Sequence, residues 1–153
     1  MLNAGDPAPE FILPDADMTM ADSASLEGSP YVIYFYPKDD TPGCTMEGIE
    51  FTELMAEFED MGVAVIGVSK DTCVSHAAFR DKYGLNIRLL ADVEGQLCDA
   101  YGVWREKEKN GEKKMGIVRS TFIVDAAGKV RHAIYDVKPK GHAEHVLDLV
   151  RAL

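Results

Sequence analysis

YVIYFY at residues 31–36 and VAVIGV at residues 63–68 are the longest apolar runs of the chain, and they decide its fold. Both runs are continuous rather than alternating and rich in aromatic or β-branched residues, which predicts parallel strands buried on both faces. Between them, Thr45–Met61 carries Phe51 and Phe58 at helical spacing beside several glutamates, which predicts an amphipathic helix. Strand, helix and strand then form one right-handed βαβ unit.

The rest of the chain extends this unit into a single α/β domain covering residues 1–153. Gly84 ends a second helix, the dipeptide Asn110-Gly111 is a strong hairpin signal, and a last helix follows Gly141. The predicted elements are a helix at Cys73–Tyr83, a strand beginning at Leu89–Leu90, a helix at Glu94–Tyr101, a charged hairpin at Arg105–Lys114, and a second hairpin pairing Thr121–Val124 with Val130–Tyr135.

Composition excludes several classes of protein. The 153 residues are 46% hydrophobic and 27% charged, which is typical of a globular domain with a real core. A net charge of −10 argues against nucleic acid or an anionic membrane as the main partner. The apolar runs are too short to span a bilayer, and the N-terminus lacks the features of a signal peptide. Three cysteines, an odd number, do not make a secreted disulfide framework, so a reducing, cytoplasmic setting is expected.

The most informative cysteine is Cys44, in the stretch YPKDDTPGCT at residues 36–45. The first predicted strand ends here and the helix begins, which is where open α/β sheets bind ligands. Pro42 suits the first turn of a helix, so Cys44 falls in that turn, where unpaired N–H groups favour a thiolate. Thr41, three residues before Cys44, lies on the same face of this first turn as the cysteine. An isolated cysteine is often only a small core residue, but core cysteines lie inside apolar runs rather than at the start of a helix.

The surroundings of Cys44 are acidic, and carboxylates destabilise a nearby thiolate. A reactive Cys44 therefore needs a cation that never deprotonates, which means an arginine. Arg119, which leads into the apolar strand STFIV, is the best candidate. The carboxylates in question are Asp39, Asp40, Glu47 and Glu50.

These residues also carry a resemblance. Pro37-x-x-x-Thr41-x-x-Cys44, followed by Thr45-x-Glu47 and later by RSTF from Arg119, resembles the peroxiredoxin family. The string FYPKDDTPGCTMEGIEF is similar to the branch called bacterioferritin comigratory protein, or PrxQ. The likeness continues along nearly the whole chain, in GDPAPEFILPD, GVSKD, YGVW, GIVRSTFIVD and KGHAEHVL.

The resemblance implies a thioredoxin-like fold, with a central mixed sheet flanked by helices, and we expect the protein to be a monomer. The resemblance also implies reduction of hydrogen peroxide and alkyl hydroperoxides without a metal or organic cofactor, with thioredoxin or another thiol reductant restoring the enzyme. By position, Cys44 would be the peroxidatic cysteine, Thr41 and Arg119 would orient the peroxide and stabilise the thiolate, and Pro37 would shield the pocket.

The second step of such a reaction uses a resolving cysteine, and the sequence offers one candidate for it. The positions at which members of this branch carry a resolving cysteine hold Ile49 and Arg80 here. Cys73 is the remaining candidate, because it begins a helix after the neighbouring parallel strand and so lies at the same sheet edge as Cys44. A one-cysteine enzyme is the alternative. Cys98, in a short helix beside Leu97, is expected to be a core residue.

Two other functions fit the sequence less well. A thioredoxin-like module that only exchanges disulfides would generally carry a C-x-x-C motif, and the chain has none. A metal-binding domain could use Cys73-x-x-His76 or His142-x-x-His145, but no further ligands follow at a suitable spacing, so no metal is expected.

Overall fold

A mixed β-sheet with helices on both faces forms the centre of the computed structural model, which describes residues 1–153. The strands in chain order are β1 (Ile12–Pro14), β2 (Met20–Asp22), β3 (Tyr31–Phe35), β4 (Ala64–Ser69), β5 (Arg88–Ala91), β6 (Trp104–Lys109), β7 (Glu112–Ile117), β8 (Ser120–Val124) and β9 (Val130–Ile134). The helices are α1 (Pro42–Glu53), α2 (Met55–Asp60), α3 (Cys73–Tyr83), α4 (Gln96–Ala100) and α5 (His142–Arg151), with a 3₁₀ turn at Ser23–Leu26.

The sheet has five strands in the order β5-β4-β3-β8-β9. Strands β3, β4 and β5 are parallel, whereas β8 is antiparallel to β3 and β9 is antiparallel to β8. This mixed sheet confirms the predicted fold class. Because β3 is central, the loop after it opens at the edge of the sheet where β4 also ends.

Alternate residues of β3 face two separate cores. Val32 and Tyr34 belong to the core under α1, α2 and α5, whereas Ile33 and Phe35 belong to the core that includes residues of α4. All five residues of the strand are buried. The prediction of a strand covered on both faces is therefore confirmed.

The structure departs from the prediction in two places. The amphipathic segment expected at Thr45–Met61 belongs to a helix that begins at Pro42, as the proline indicates, but that helix is interrupted at Leu54, whose φ of −101° and ψ of 1° lie outside the helical range. Neither glycine nor proline stands at Leu54, so the sequence carries no signal for the interruption. The short antiparallel pair β1–β2 was also not predicted.

The charged segment forms the predicted hairpin, with β6 and β7 paired in antiparallel register. Asn110 and Gly111 have φ values of 54° and 80°, the left-handed conformation that a two-residue hairpin turn requires. No helix in the chain combines the length and the apolar character needed to cross a membrane.

Candidate active site

Cys44 occupies the first turn of α1, directly after the loop that leaves β3. Thr41 is the N-cap, with an extended backbone, and Pro42 is the first helical residue. Cys44 is the third residue of the helix, and only 2% of its surface is exposed. Its thiol thus lies in a shielded position, among the unpaired N–H groups that favour negative charge.

Arg119 stands beside the Cys44 sulfur. Its Nη2 is 3.3 Å from Cys44 Sγ, and its Nη1 donates to Glu47 Oε1 at 2.7 Å. Burial opposes the charge of the guanidinium, but the charges of Glu47 and Cys44 outweigh it and hold the pKa of Arg119 above its usual value. The arginine selected from the sequence is therefore the cation that faces this cysteine.

Gly43 makes this approach possible. A Cβ atom at this position would lie 3.0 Å from Arg119 Nη2 and 3.2 Å from Pro139 Cγ. Both contacts are tight, so a side chain here would push the guanidinium and Pro139 back by a few tenths of an ångström. The glycine before Cys44 therefore lets the guanidinium and the loop before α5 close over the start of α1.

Glu47 is a member of the site whose role the sequence did not reveal. It lies one turn after Cys44 with none of its surface exposed, and its Oε1 binds Arg119 while Oε2 has no hydrogen-bond partner. Burial raises the pKa of Glu47 to about 7, although the charge of Arg119 opposes the rise. This carboxyl anchors the guanidinium and titrates near neutral pH.

The carboxylates around Cys44 are bound by hydrogen-bond partners from other parts of the chain. Each of the four carboxylates identified in the sequence has a hydrogen-bond donor of its own. These pairs are Asp39 with His76, Asp40 with Lys82, Glu47 with Arg119, and Glu50 with the backbone N–H of Gly141. The sulfur therefore meets a guanidinium rather than a free carboxylate.

Thr41 and Pro37 are less directly engaged. The hydroxyl of Thr41 donates to the carbonyl oxygen of Lys38 at 2.8 Å rather than to the sulfur, although the residue lies one turn from Cys44. Pro37 is exposed in the loop after β3. Of the predicted site residues, only Arg119 directly contacts the Cys44 thiol through a side-chain hydrogen bond.

A buried polar network fixes the loop that leads to Cys44. The hydroxyl of Tyr36 donates to Asp39 Oδ1 at 2.6 Å, and His76 Nδ1 lies 2.7 Å from Asp39 Oδ2. His76 Nε2 lies 2.9 Å from the carbonyl oxygen of Leu90. Both ring nitrogens face an acceptor, so a proton must lie between His76 and Asp39. The network ties the loop before Cys44 to α3.

Asp71 extends this network and gives it the composition of a metal site. One ligand atom each from Asp39, Asp71 and His76 lie within 4.8 Å of one another. Asp71 Oδ2 accepts from the N–H of Asp39 and from the hydroxyl of Ser69, at 2.8 and 2.7 Å. Asp39 Oδ2 accepts from the hydroxyl of Ser75 at 2.8 Å. Because protein donors already serve these oxygens, the cluster is satisfied without an ion.

Comparison with known proteins identifies the family. The model of the AhpC/TSA family matches residues 4–133. Peroxiredoxin Bcp of Escherichia coli K12 is 39% identical over 150 residues, which cover 98% of this chain and 96% of the relative. The chain belongs to the AhpC/TSA family and is a peroxiredoxin.

Solved structures agree with this assignment. A cysteine-to-serine variant of PrxQ from Xylella fastidiosa is 36% identical and superposes with a TM-score of 0.94, covering 99% of this chain and 97% of its own. The bacterioferritin comigratory protein of Xanthomonas campestris, described with its alkyl peroxide reduction activity, is 40% identical with a TM-score of 0.88, covering 93% of this chain and 90% of its own. The peroxiredoxin thus has the predicted thioredoxin-like fold.

The three cysteines of this peroxiredoxin are free thiols in different environments. Cys73 is the first residue of α3 and is partly exposed. Because β3 and β4 pair in parallel register, the starts of α1 and α3 lie at one sheet edge, as predicted. Cys98 is fully buried in the core, as expected, and burial with the nearby Asp92 raises the pKa of its thiol.

The two positions at which the resemblance would place a resolving cysteine hold no thiol. Ile49 packs at the margin of the core. Arg80, on α3, donates to Asp17 Oδ1 at 2.9 Å on the surface. Cys73 is the one cysteine of the chain that is partly exposed, whereas Cys44 and Cys98 are both buried.

Proposed function

We propose that this peroxiredoxin is a thiol peroxidase that reduces hydrogen peroxide and alkyl hydroperoxides through Cys44. The observation that carries the proposal is the contact of 3.3 Å between Arg119 Nη2 and Cys44 Sγ in a shielded helix start. The thiolate is the reactive form of cysteine, and a guanidinium at this distance favours it. The alkyl peroxide reduction activity described for the Xanthomonas campestris relative supports the same chemistry.

The proposed first step is a nucleophilic displacement at oxygen. The Cys44 thiolate attacks the terminal oxygen of ROOH, so an S–O bond forms as the O–O bond breaks. The leaving RO⁻ takes up a proton and departs as an alcohol, or as water when the substrate is hydrogen peroxide. The sulfur is oxidised to a sulfenic acid and the peroxide is reduced by two electrons.

Arg119 serves this step in two ways. Its guanidinium stabilises the thiolate before attack, and its fixed N–H donors can meet the charge that develops on the peroxide oxygens. Glu47 holds the arginine in place through the bond at 2.7 Å. Thr41 would bind the incoming peroxide after its hydroxyl turns away from Lys38, and Pro37 would shield the reacting oxygen from water.

Cys73 is the proposed resolving thiol. It would condense with the Cys44 sulfenic acid, forming an S–S bond and releasing water, and thioredoxin or another thiol reductant would then reduce the disulfide. A disulfide requires the two Cα atoms to come within about 7 Å, so the first turn of α1 must loosen. Gly43 and Gly48 in α1 make this easier, because each glycine weakens a helix by about 1 kcal/mol relative to alanine.

The proposed setting is a reducing compartment, the cytoplasm, in which thiols stay reduced, and the proposed enzyme is a monomer. If Cys73 does not resolve the sulfenic acid, a small thiol or the thiol of a partner must do so. The enzyme would then be of the one-cysteine type.

Oxidation with one equivalent of peroxide tests the proposal. Free thiols are blocked afterwards, and the modified peptides are mapped by mass spectrometry. We expect Cys44 to be oxidised first and then to be found in a disulfide with Cys73 in monomeric protein. Persistent sulfenic acid, or sulfinic acid at Cys44 with Cys73 still free, would reject Cys73 as the resolving thiol. An unmodified Cys44 would reject the peroxidase function itself.

A further inference from the structure

His142, the first residue of α5, is a buried histidine outside the contacts of the Cys44 sulfur. Its Nε2 lies 2.7 Å from the hydroxyl oxygen of Thr121, and neither residue exposes more than 6% of its surface. Burial, with His145 and Arg119 nearby, lowers the pKa of His142 to about 4. The ring is therefore neutral at neutral pH and adds no charge to the surroundings of Arg119.

Thr121 points to the side of the sheet on which Cys44 lies. Residues two positions apart in a strand share a face, so Thr121 faces the same side as Ile123 and as Arg119, which directly precedes β8. Ile123 belongs to the core under α1, α2 and α5, as does Cys44. The hydrogen bond of His142 thus holds β8 two residues after the arginine that contacts the sulfur.

His142 also contacts the helix that carries Cys44. Its ring stands edge-on against the ring of Phe51 in α1, with the ring centres 6.2 Å apart and the planes at 87°. Phe51 is fully buried and lies about two turns after Cys44 in the same helix. One side chain therefore bridges the strand that follows the cation and the helix that bears the thiol.

The segment that leads to His142 joins the same two elements. The backbone N–H of Val137 donates to the carbonyl oxygen of Arg119 at 2.8 Å. The backbone N–H of Gly141 donates to Glu50 Oε1, in α1, also at 2.8 Å. The first of these bonds holds the backbone of the arginine, the second reaches the thiol's helix, and the side chain of His142 contacts both elements from within the core.

We propose that His142 is a positioning residue of this peroxidase, which fixes the guanidinium of Arg119 against the sulfur of Cys44 by tying β8 to α1. The proposal rests on the proposed peroxidase function and deepens it. A hydrogen bond adds to apolar packing a narrow range of distance and angle. The contact of 3.3 Å between Arg119 Nη2 and Cys44 Sγ depends on such precision, because a misplacement of about 1 Å can slow a reaction by about 100-fold.

Two amide variants separate the hydrogen bond of His142 from its packing. His142→Gln places an amide near the position of Nε2 and keeps the bond to Thr121, whereas His142→Asn is too short to do so. We expect the asparagine variant to oxidise Cys44 about tenfold more slowly, and the midpoint of its thiolate titration to rise by about one pH unit. The glutamine variant should behave like the parent. Stopped flow with hydrogen peroxide and thiolate absorbance of the reduced full-length protein give the two readouts.

Thr121→Val removes the same hydrogen bond from its other side with little change of volume. It should reproduce the effects of His142→Asn, and it answers the question if that variant does not fold. Tyr135→Phe is the matched control, because it removes a bond of the same length, 2.7 Å to the carbonyl oxygen of Tyr101, at the margin of the other core. The control should leave both readouts unchanged. Urea unfolding of each variant checks that the fold is retained.

A double variant tests whether His142 acts through the arginine. When Arg119→Met is already present, adding His142→Asn should not shift the thiolate titration further. A further shift, or equal behaviour of the asparagine and glutamine variants, would overturn the positioning role and leave the peroxidase function intact. A parent protein whose Cys44 is not oxidised by peroxide would overturn both.

Discussion

Cys44 and Cys73 occupy nearly equivalent places in the fold. Each lies in the first turn of a helix that follows one of two neighbouring parallel strands. Each is followed three residues later by a fully buried ionisable side chain, Glu47 in one helix and His76 in the other. The helix start alone would therefore favour a thiolate at both.

The partners of the two buried side chains make the difference. Glu47 binds Arg119, which also reaches the Cys44 sulfur at 3.3 Å. His76 binds Asp39, in the loop that leads to Cys44, and contributes nothing to the sulfur of its own helix. The proposed peroxidatic site therefore differs from the other helix start in the cation that contacts its sulfur, and the second helix holds the loop before Cys44 through His76.

Removing the sulfur is the strongest test of this comparison. Cys44→Ser should abolish peroxide consumption, because serine cannot form the thiolate nucleophile. Cys73→Ser should still consume the first equivalent of peroxide, since that step needs only Cys44. The loss of peroxide in single-turnover experiments is measured for both variants. A Cys44→Ser protein that matches the parent rate would show that the comparison assigns the chemistry to the wrong cysteine.

Removing the cation should come second in effect. Arg119→Met preserves much of the side-chain volume but leaves the sulfur without its guanidinium. We expect the rate of sulfenic acid formation to fall by about 100-fold, with a lower thiolate absorbance at neutral pH. Arg80→Met, which removes a surface arginine bound to Asp17, is the control and should react like the parent. Unchanged thiolate absorbance in Arg119→Met would contradict the role given to the arginine.

The third test breaks the network at the second helix. His76→Gln places an amide near the position of Nε2 and keeps the bond to Leu90, whereas His76→Asn places one near Nδ1 and keeps the bond to Asp39. Losing the buried Asp39 contact should lower the free energy of unfolding by about 3 kcal/mol. The asparagine variant should lose less.

Urea denaturation measures the stabilities, and single-turnover kinetics with peroxide reports on the loop. Only the glutamine variant should also slow the oxidation of Cys44, because it releases the loop in which Asp39 lies. Equal behaviour of the two variants in both measurements would mean that His76 is an ordinary core residue.

Local patterns allowed much of this architecture to be predicted from the sequence. The apolar runs of β3 and β4 predicted buried parallel strands, and Asn110-Gly111 predicted the hairpin turn that the structure has. Pro42 correctly predicted that Cys44 lies in the first turn of a helix. Each of these signals lies within a few residues of the feature it specifies.

The pairing of distant charges could not be predicted in the same way. Glu47 and Arg119 are 72 positions apart, and Asp39 and His76 are 37 apart. The sequence shows carboxylates near Cys44 that would destabilise its thiolate. It does not show the residues that pair with them, because those residues belong to other helices, strands and loops. The one local signal for Glu47 and His76 is their spacing of three residues from a cysteine, which places each of them on the same face of its helix as that cysteine.

The smallest expected effect concerns Glu47, the buried carboxyl that distinguishes the Cys44 helix. Burial raises its pKa to about 7 against an ordinary value of 4.5, despite the opposing charge of Arg119. The folded protein therefore holds this proton more tightly than the unfolded chain does. The stabilising contribution is complete below about pH 4.5 and is lost as the pH rises through about 7. The full loss amounts to about 3 kcal/mol.

Glu47→Gln removes this pH dependence while its amide oxygen can still accept from Arg119. The variant should therefore gain stability relative to the parent, by about 2–3 kcal/mol, between about pH 4.5 and about pH 8. Urea unfolding at both pH values measures the difference in the free energy of unfolding between the variant and the parent. Groups that titrate alike in both proteins do not contribute to this difference. Glu53→Gln, at an exposed position of the same helix, is the control and should show no such gain. If the stability difference between Glu47→Gln and the parent does not change with pH, Arg119 keeps the Glu47 carboxyl ionised throughout the range. The charge of the guanidinium beside Cys44 would then already be balanced by Glu47.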